Sequence, residues 1–437
     1  MNTKRNIRLW IEDNPVKTII LTGIFIRMLI AMLYQHITMY PDSTDYINLA
    51  EHILKLDFPG YGGERSPGYP LLLAATNMSY LFTVILQSAS GIASLVLTYK
   101  TALIVGINKK ASFFATIGLS CYLPMAFFEF SILSETLTLF TITAIFYLFF
   151  SIRPEKGEIS YNRLLVVLCG FLILIKPFYI FLPVLLFLLL FFNRIPKREI
   201  LFKHIYIAII PATLFLGWSY VNKVNTGYFT STTFYGFNLA QNCVNFAEKT
   251  TPEYAEIGRI YAKYRDGTDS EKETAMTIWL AEPELREKTG LSFPGLSAKL
   301  YDYSIATIKE NPIDYLKQAF VSWCDFWKTS LYWEYGSVAV SHANDVILYV
   351  CYAERIVLQL IKILFVLFIP YNIIRTLKEK KLSPPFVISI VVLTASVLQA
   401  LMTYGTNSRF SFPFELLIVL SVIANWEGFR KRKRSFL

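Results

Sequence analysis

Runs of apolar residues long enough to cross a bilayer recur along this chain, and they leave it few ways to fold. A membrane-spanning helix needs roughly 20 such residues. By that measure the sequence predicts spans near 17–39, 80–106, 112–128, 131–151, 164–175, 177–192, 204–222, 346–370, 384–404 and 412–426. The 437 residues are 54% hydrophobic, with a mean hydropathy of +0.43, too apolar for a soluble protein of this length. The fold class expected is an all-α polytopic membrane protein of about ten spans. The first span follows Asn2-Thr3-Lys4-Arg5 without a small-residue cleavage site, so it is expected to stay as an anchor.

Two of these spans depend on argument. Tyr69 to Ile107 would be about 58 Å long as one helix, about twice the hydrocarbon thickness. It divides into a short interfacial helix after Pro70 and a span from about Tyr80. Leu164 to Phe192 contains Lys176-Pro177, where proline removes a backbone donor and crowds the preceding turn. Breaking the run there puts every basic short loop on one side: Lys4, Arg5 and Arg8; Lys109 and Lys110; Arg153, Lys156 and Arg163; Arg194, Lys197, Arg198 and Lys203; Arg375, Lys378, Lys380 and Lys381; and Arg430 to Arg434. Both termini are then cytoplasmic. The loop 40–79, the tip near Pro124 to Ser131 and a polar segment from about Asn222 to Asp345 fall outside. The chain divides into an N-terminal membrane module (1–222), a helical extracytoplasmic segment (223–345) and C-terminal membrane helices with a basic tail (346–437).

The net charge of +10 comes from these loops, so membrane topology accounts for it and nucleic-acid binding does not. The five cysteines form no CxxC or Cys/His cluster. Cys121, Cys169 and Cys351 fall in apolar runs as buried thiols. Cys243 and Cys324 lie in the polar segment, where a disulfide between them stays open. Within that segment, Asn311 to Phe320 predicts a proline-initiated amphipathic helix, with Trp323, Trp327 and Trp333 at the headgroup level. No fixed-period repeat is present, nor the inverted repeat of secondary transporters.

Ionisable groups at a membrane boundary are costly unless paired or used. Two stretches of the 40–79 loop concentrate them: Tyr40-Pro41-Asp42-Ser43-Thr44-Asp45-Tyr46 and Gly63-Glu64-Arg65-Ser66-Pro67-Gly68-Tyr69-Pro70. Transfer of a sugar from a lipid phosphate needs one base to deprotonate the attacking hydroxyl, and a carboxylate suffices. The leaving phosphate needs no acid, only cations held in low dielectric. Retaining glycoside hydrolysis would want two close carboxylates and water instead.

An outer loop opening on Asp42, continuing Asp45-Tyr46 and closing on Arg65-Ser66-Pro67-Gly68-Tyr69-Pro70, followed by Ser134-Glu135 at the head of the fourth span, resembles the bacterial polyprenyl-phosphate-dependent glycosyltransferases of GT-C architecture. Their relatives include protein O-mannosyltransferases and the lipid A aminoarabinose transferase. The resemblance covers about the first 220 residues; beyond them only the layout is similar. It implies a GT-C-like helix bundle, a polyprenyl-phosphate sugar donor, Asp42 as base and Arg65 on the donor phosphate, with Asp45, Tyr46 and Tyr69 in the substrate site. The active site would face outward from a bacterial cytoplasmic membrane, with inversion at the anomeric carbon and an acceptor that is a lipid, glycan or protein.

Each residue has a plainer alternative. Asp42 or Ser43 would cap a helix running through Tyr46 to Leu54, with Asp45 in its first turn. Arg65 would meet headgroups, and Lys176 and Arg409 would either neutralise the lipid phosphate or snorkel. Glu135, inside a span, would touch sugar or acceptor, or pair with Arg65 or Lys176. His52 reads as interfacial. Transfer is expected to need no metal or cofactor, although Asp42, Asp45 and Glu64 could assemble a divalent-ion site. The rival functions are a flippase or transporter of lipid-linked sugars and an O-antigen ligase or polymerase.

Overall fold

The computed structural model describes residues 13–152, 159–191, 197–405 and 407–435. The loop cations Lys4, Arg5, Arg8, Arg153, Lys156 and Arg194 lie outside them. The first half of the chain forms α1 (Pro15–Tyr34), α2 (Pro41–Lys55), α3 (Gly68–Ala75), α4 (Tyr80–Ile104), α5 (Lys109–Ser120), α6 (Leu123–Glu129), α7 (Glu135–Ser151), α8 (Ile159–Ile175), α9 (Phe181–Leu190), α10 (Lys197–His204) and α11 (Tyr206–Thr226). The polar segment folds as α12 (Tyr235–Gln241), α13 (Ala255–Arg265), α14 (Glu271–Thr289), α15 (Phe293–Glu310) and α16 (Pro312–Phe326). The chain then runs through α17 (Ser341–Glu379), α18 (Pro384–Met402), the one-turn α19 (Asn407–Ser411) and α20 (Glu415–Ser435). Among the described residues the only β pairing is an isolated bridge between Thr38 and Ser131.

The ten expected apolar runs are all helical, but fewer than ten are of full membrane length. Six helices are long and apolar enough to cross a membrane, or seven if the bent pair α5–α6 counts as one span. The remaining runs are shorter apolar helices, Glu135–Ser151, Arg163–Ile175 and Pro177–Leu190. Breaking the helix at Lys176-Pro177 produces two of them, each too short to cover roughly 30 Å of hydrocarbon. The break itself stands where the proline put it: Lys176 has extended backbone angles and a 3₁₀ turn, Pro177–Ile180, follows. The division of 69–107 also holds, with Asn77 and Met78 left-handed between α3 and α4 and the Ser79 hydroxyl accepting from Phe82 N.

Helix α7 is buried on nearly every face. Its threonines cost little there, because Thr138, Thr141 and Thr143 each donate to the carbonyl four residues back at 2.7 Å. Below the site, Arg27 of α1 sends Nε to Glu129 Oε2 at 2.9 Å and an Nη to Ser120 O. Both side chains are buried, so losing either partner would cost about 3–5 kcal/mol.

The polar segment has its own core, built from Phe237, Ile260, Tyr261, Ile278, Leu285, Leu296 and Tyr303 among others. Phe237 stacks on both Trp279 and Phe293. Helix α16 begins at Pro312 as expected and leaves Ile313, Leu316 and Phe320 exposed along one face. The three tryptophans are packed against protein to different degrees, Trp323 and Trp333 being half-buried. Trp327 is buried, Trp323 donates to Ser396 of α18, and Trp333 packs on Tyr34 and Phe127. Cys243 and Cys324 are free thiols.

Candidate active site

Six side chains from five parts of the chain form a row of alternating charge. Asp45 Oδ2 accepts from Arg65 Nε at 3.1 Å and Nη2 at 2.9 Å. Arg65 Nη2 also lies 2.9 Å from Asp42 Oδ1. The other Asp42 oxygen accepts from Arg409 Nη1 at 2.8 Å. Arg409 then donates from Nε and Nη2 to Glu135 Oε1 at 2.9 and 2.7 Å, and Lys176 Nζ reaches the same oxygen at 2.9 Å. Three anions meet three cations, and the row runs from a partly open end to a closed one. The Asp42 and Asp45 side chains are 29% and 31% exposed, and Glu135 is fully buried.

Local sequence explains how each group arrives. Tyr40 precedes α2 with extended geometry and Pro41 opens the helix. Asp42 is therefore the second helical residue and not the cap, which corrects the plainer reading. Ser43 takes the capping work, accepting from Tyr40 N at 2.9 Å and donating to Ile132 O at 2.8 Å. That frees Asp42 to face the guanidiniums. Asp45 falls one turn on, so both carboxylates share a helix face. Glu135 opens α7, where the positive end of the helix dipole favours a carboxylate.

Arg65 sits in an irregular stretch held by the polar segment. Thr233 N donates to Gly63 O at 2.9 Å, and the Thr232 and Thr233 hydroxyls donate to Glu64 O and Gly62 O. Gly63 has φ +78°, and a Cβ there would lie 2.9 Å from Thr233 Cγ2. Gly68 meets a similar constraint, since its Cβ would stand 2.5 Å from Leu174 C and Ile175 N, one residue before Lys176. Gly68 thus lets the loop pack against the helix end that carries Lys176, while Gly63 lets it pack against Thr233 of the polar segment.

Aromatic rings line the cations. The Arg65 guanidinium is 4.9 Å from the Tyr46 ring and 4.6 Å from Phe234, Arg409 is 5.4 Å from Tyr332, and Lys176 Nζ is 5.6 Å from Phe410. Tyr46 packs edge-on against Tyr69 and its hydroxyl meets Ser134 Oγ at 3.0 Å. Tyr69, expected in the substrate site, stands one ring further back: it is fully buried and donates to Gln87 Oε1 at 2.9 Å. Glu135 is the partner of Lys176 and Arg409, not of Arg65. Lys176 and Arg409 turn inward to it and do not snorkel.

Burial alone would push the Asp42 carboxyl up, but the guanidiniums on its two oxygens hold it well below the ordinary carboxylate range. Burial wins at Asp45, which is raised although Arg65 partly offsets it. Burial likewise lifts the Tyr46 phenol to about 12. Asp42 is thus ionised at any ordinary pH, with both oxygens occupied. Glu64 does not join Asp42 and Asp45 in a metal set: its carboxylate folds over Gly62, and among the described residues no three His, Cys, Asp or Glu are grouped to hold a metal. His52 lies at the far end of α2, its Nδ1 2.5 Å from Asp57 O.

Phe234, Tyr332 and the Thr232-Thr233 pair escaped the sequence reading, because each acts on a group distant in the chain and none stands in a local pattern. No protein-family profile matches the chain, and no curated protein matches it. Among solved structures it is similar to the oligosaccharyltransferase AglB of Archaeoglobus fulgidus, solved in complex with an inhibitory peptide and a dolichol-phosphate. The alignment gives 11% identity and a TM-score of 0.49, covering 98% of this chain and 52% of that one. A second structure of an oligosaccharyltransferase from the same organism, tethered to an acceptor peptide, gives 12% identity and a TM-score of 0.48, covering 97% and 50%. The chain thus spans about half the length of these proteins.

Proposed function

We propose that this multi-pass membrane protein is a glycosyltransferase that takes a sugar from a polyprenyl-phosphate donor, with Asp42 as base and Arg65, Arg409 and Lys176 around the donor phosphate. The observation that carries the reading is Asp42 itself, a half-open carboxylate whose two oxygens are each held by a guanidinium. Such a carboxylate is a poor base while both oxygens are engaged. A donor phosphate entering the cluster competes for the same guanidiniums and offers charge-assisted hydrogen bonds of the same kind. As it draws one of them away, an Asp42 oxygen is freed beside the anomeric carbon.

The transfer then balances without a general acid. Asp42 takes the acceptor's hydroxyl proton, and the acceptor oxygen bonds to the anomeric carbon. The bond from that carbon to the phosphate oxygen breaks with its electron pair on the phosphate, where the cations stabilise it. A single displacement inverts the anomeric centre. The site would face outward from a bacterial cytoplasmic membrane, with residues 1–222 as the catalytic module, 223–345 as an extracytoplasmic segment and 346–437 as the closing membrane helices. The acceptor would be a lipid, glycan or protein.

The test uses purified protein, a polyprenyl-phosphate-linked sugar carrying a radiolabel, and a cell-envelope extract as acceptor source. Transfer by the parent and its loss in Asp42→Asn, which keeps shape but removes basicity, is the expected result. Donor that crosses the bilayer of a vesicle with its sugar–phosphate bond intact, and no transfer, would favour the transporter reading instead.

A further inference from the structure

Lys362 is fully buried within α17, and Glu415, its ion-pair partner at 2.8 Å, is 2% exposed. A buried ion pair between membrane helices is expensive, and apolar residues of similar volume would pack there at lower cost. The geometry of the ammonium says what it supplies. Apart from the ion pair with Glu415, Nζ donates to the Lys328 carbonyl and to Ser411 Oγ, each at 2.9 Å. An ammonium has three hydrogens and no acceptor, and here two of them meet carbonyl and hydroxyl oxygens while its charge faces Glu415, so it ties two pieces of chain, the stretch at Lys328 and the turn from Ser411 to Glu415.

Both pieces lead to the same group, Arg409. Ser411 ends α19, the single turn that carries Arg409, and its hydroxyl donates onward to Ser408 O at 2.9 Å. The first residue of that turn is fixed separately, with Asn407 Nδ2 donating to Ser322 O and Gln399 Oε1 at 3.0 Å. Between Ser411 and Glu415 the turn Phe412–Phe414 is buried. Lys362 therefore holds both ends of a packed turn directly after Arg409. Its second tie, to Lys328 O, fixes the chain four residues before Tyr332, the ring over which Arg409 lies.

We infer that Lys362 is a positioning residue for the donor-phosphate site, holding from one buried ammonium both the turn that carries Arg409 and the strand of chain that carries the ring beneath it. The inference rests on the reading of Arg409 as a phosphate ligand. Lys362 lies outside the charged row and does not itself meet substrate.

The experiment measures binding of a short-chain polyprenyl phosphate, without sugar, together with amide hydrogen exchange and melting temperature in detergent. Lys362→Met should weaken binding by about tenfold, the scale of one hydrogen bond to a charged group. Ser411→Ala, which spares the ion pair, should lose less and serves if Lys362→Met folds poorly. Exchange should rise in peptides covering 407–415 and 328–332. Adding Lys362→Met to Arg409→Gln should weaken binding no further, because both act through one guanidinium. A purely structural lysine would lower the melting temperature and leave the affinity of the folded protein unchanged, which overturns the inference, as would fully additive losses. If Arg409→Gln binds like the parent, the phosphate reading fails by itself. Exchange in the two peptides then decides whether Lys362 holds Arg409: unchanged exchange overturns that part too.

Discussion

Asp42 and Arg409 lie 367 residues apart in the chain and 2.8 Å apart in space. That contact joins the first helix after the first span to the turn before the last one, so the site exists only when the two ends of the bundle are packed together. The same guanidinium holds Glu135 with two further nitrogens. A planar fork can bridge two carboxylates, whereas an ammonium is a point charge on a flexible stem. Arg409→Lys should therefore keep net charge yet lose about tenfold or more in turnover, and Arg409→Gln more still, read as kcat and donor KM on the purified enzyme. Parent-like kinetics in both variants would remove Arg409 from the site.

The acid side of the pH profile should move with donor binding. Asp42 is held low by two cations in the free protein, so its ionised form persists until the pH falls far below the ordinary carboxylate range. When a phosphate takes a guanidinium away, the carboxylate loses a cation that favoured its ionised form, and the pKa rises toward its ordinary value or above. The acid limb of kcat, which reports the bound complex, should then lie at higher pH than that of kcat/KM, which reports the free enzyme. In Arg409→Gln the kcat/KM limb should shift upward by itself. Coincident limbs in parent and variant alike would contradict this exchange of partners.

Stability follows the same signs. A depressed Asp42 contributes stability that is present above the unfolded pKa and lost as pH falls through the folded one, while Asp45, raised in the fold, opposes folding once ionised. Asp45→Asn should accordingly be neutral or mildly stabilising at pH 7, and Asp42→Asn destabilising, because it leaves two buried guanidiniums short of a partner. Thermal melts at pH 7 measure both. A larger loss in Asp45→Asn than in Asp42→Asn would reverse the assignment.

What the sequence made legible divides along physical lines. Periodicity and proline chemistry are local, so the division near Tyr80, the break at Pro177 and the proline start of α16 could be read directly. The carboxylates and Arg65 were visible because charges beside apolar runs need a reason. Span count was less legible: α7, α8 and α9 are apolar yet short, and apolar composition alone does not say whether a short helix crosses the bilayer. Least legible were Arg409's grip on Asp42 and the rings of Phe234 and Tyr332, which depend on contacts between distant segments. Trp327 shows the converse error, since a tryptophan near a boundary suits a headgroup belt and a packed core equally well.

Phe234 offers a test of the aromatic cradle that leaves the charges alone. Its ring lies against Arg65 at 4.6 Å and is braced edge-on by Trp279 and Phe293. Phe234→Leu keeps an apolar side chain but removes the ring face, which should raise donor KM by about three- to tenfold, the range of one partly desolvated cation–π contact. Phe234→Tyr should restore it. An equal loss in both variants would point to packing of the polar segment and not to the ring.

The last prediction concerns sidedness, and the fold strengthens it beyond the charge asymmetry of the loops. Thr233 N donates to Gly63 O, so the polar segment and the first loop must lie on one side of the bundle. At the other end Asn108 N donates to Glu427 Oε2 at 3.1 Å, and Lys431 Nζ lies 3.3 Å from Gly106 O, which puts the basic 106–110 loop beside the C-terminal basic stretch. Whichever way the protein is inserted, these two groups of residues must label as opposites. The cation-rich end is expected to be cytoplasmic. In a background with the exposed Cys121 and Cys324 replaced by serine, Asp57→Cys and Asp269→Cys, both at exposed positions, should react with an impermeant thiol reagent added to intact cells. Lys110→Cys and Lys381→Cys, also at exposed positions, should react only after the membrane is opened. Labelling of the lysine positions from outside would invert the orientation and move the candidate site to the cytoplasmic face. Labelling of Asp57→Cys without Asp269→Cys would contradict the contact between the first loop and the polar segment on which the placement of Arg65 depends.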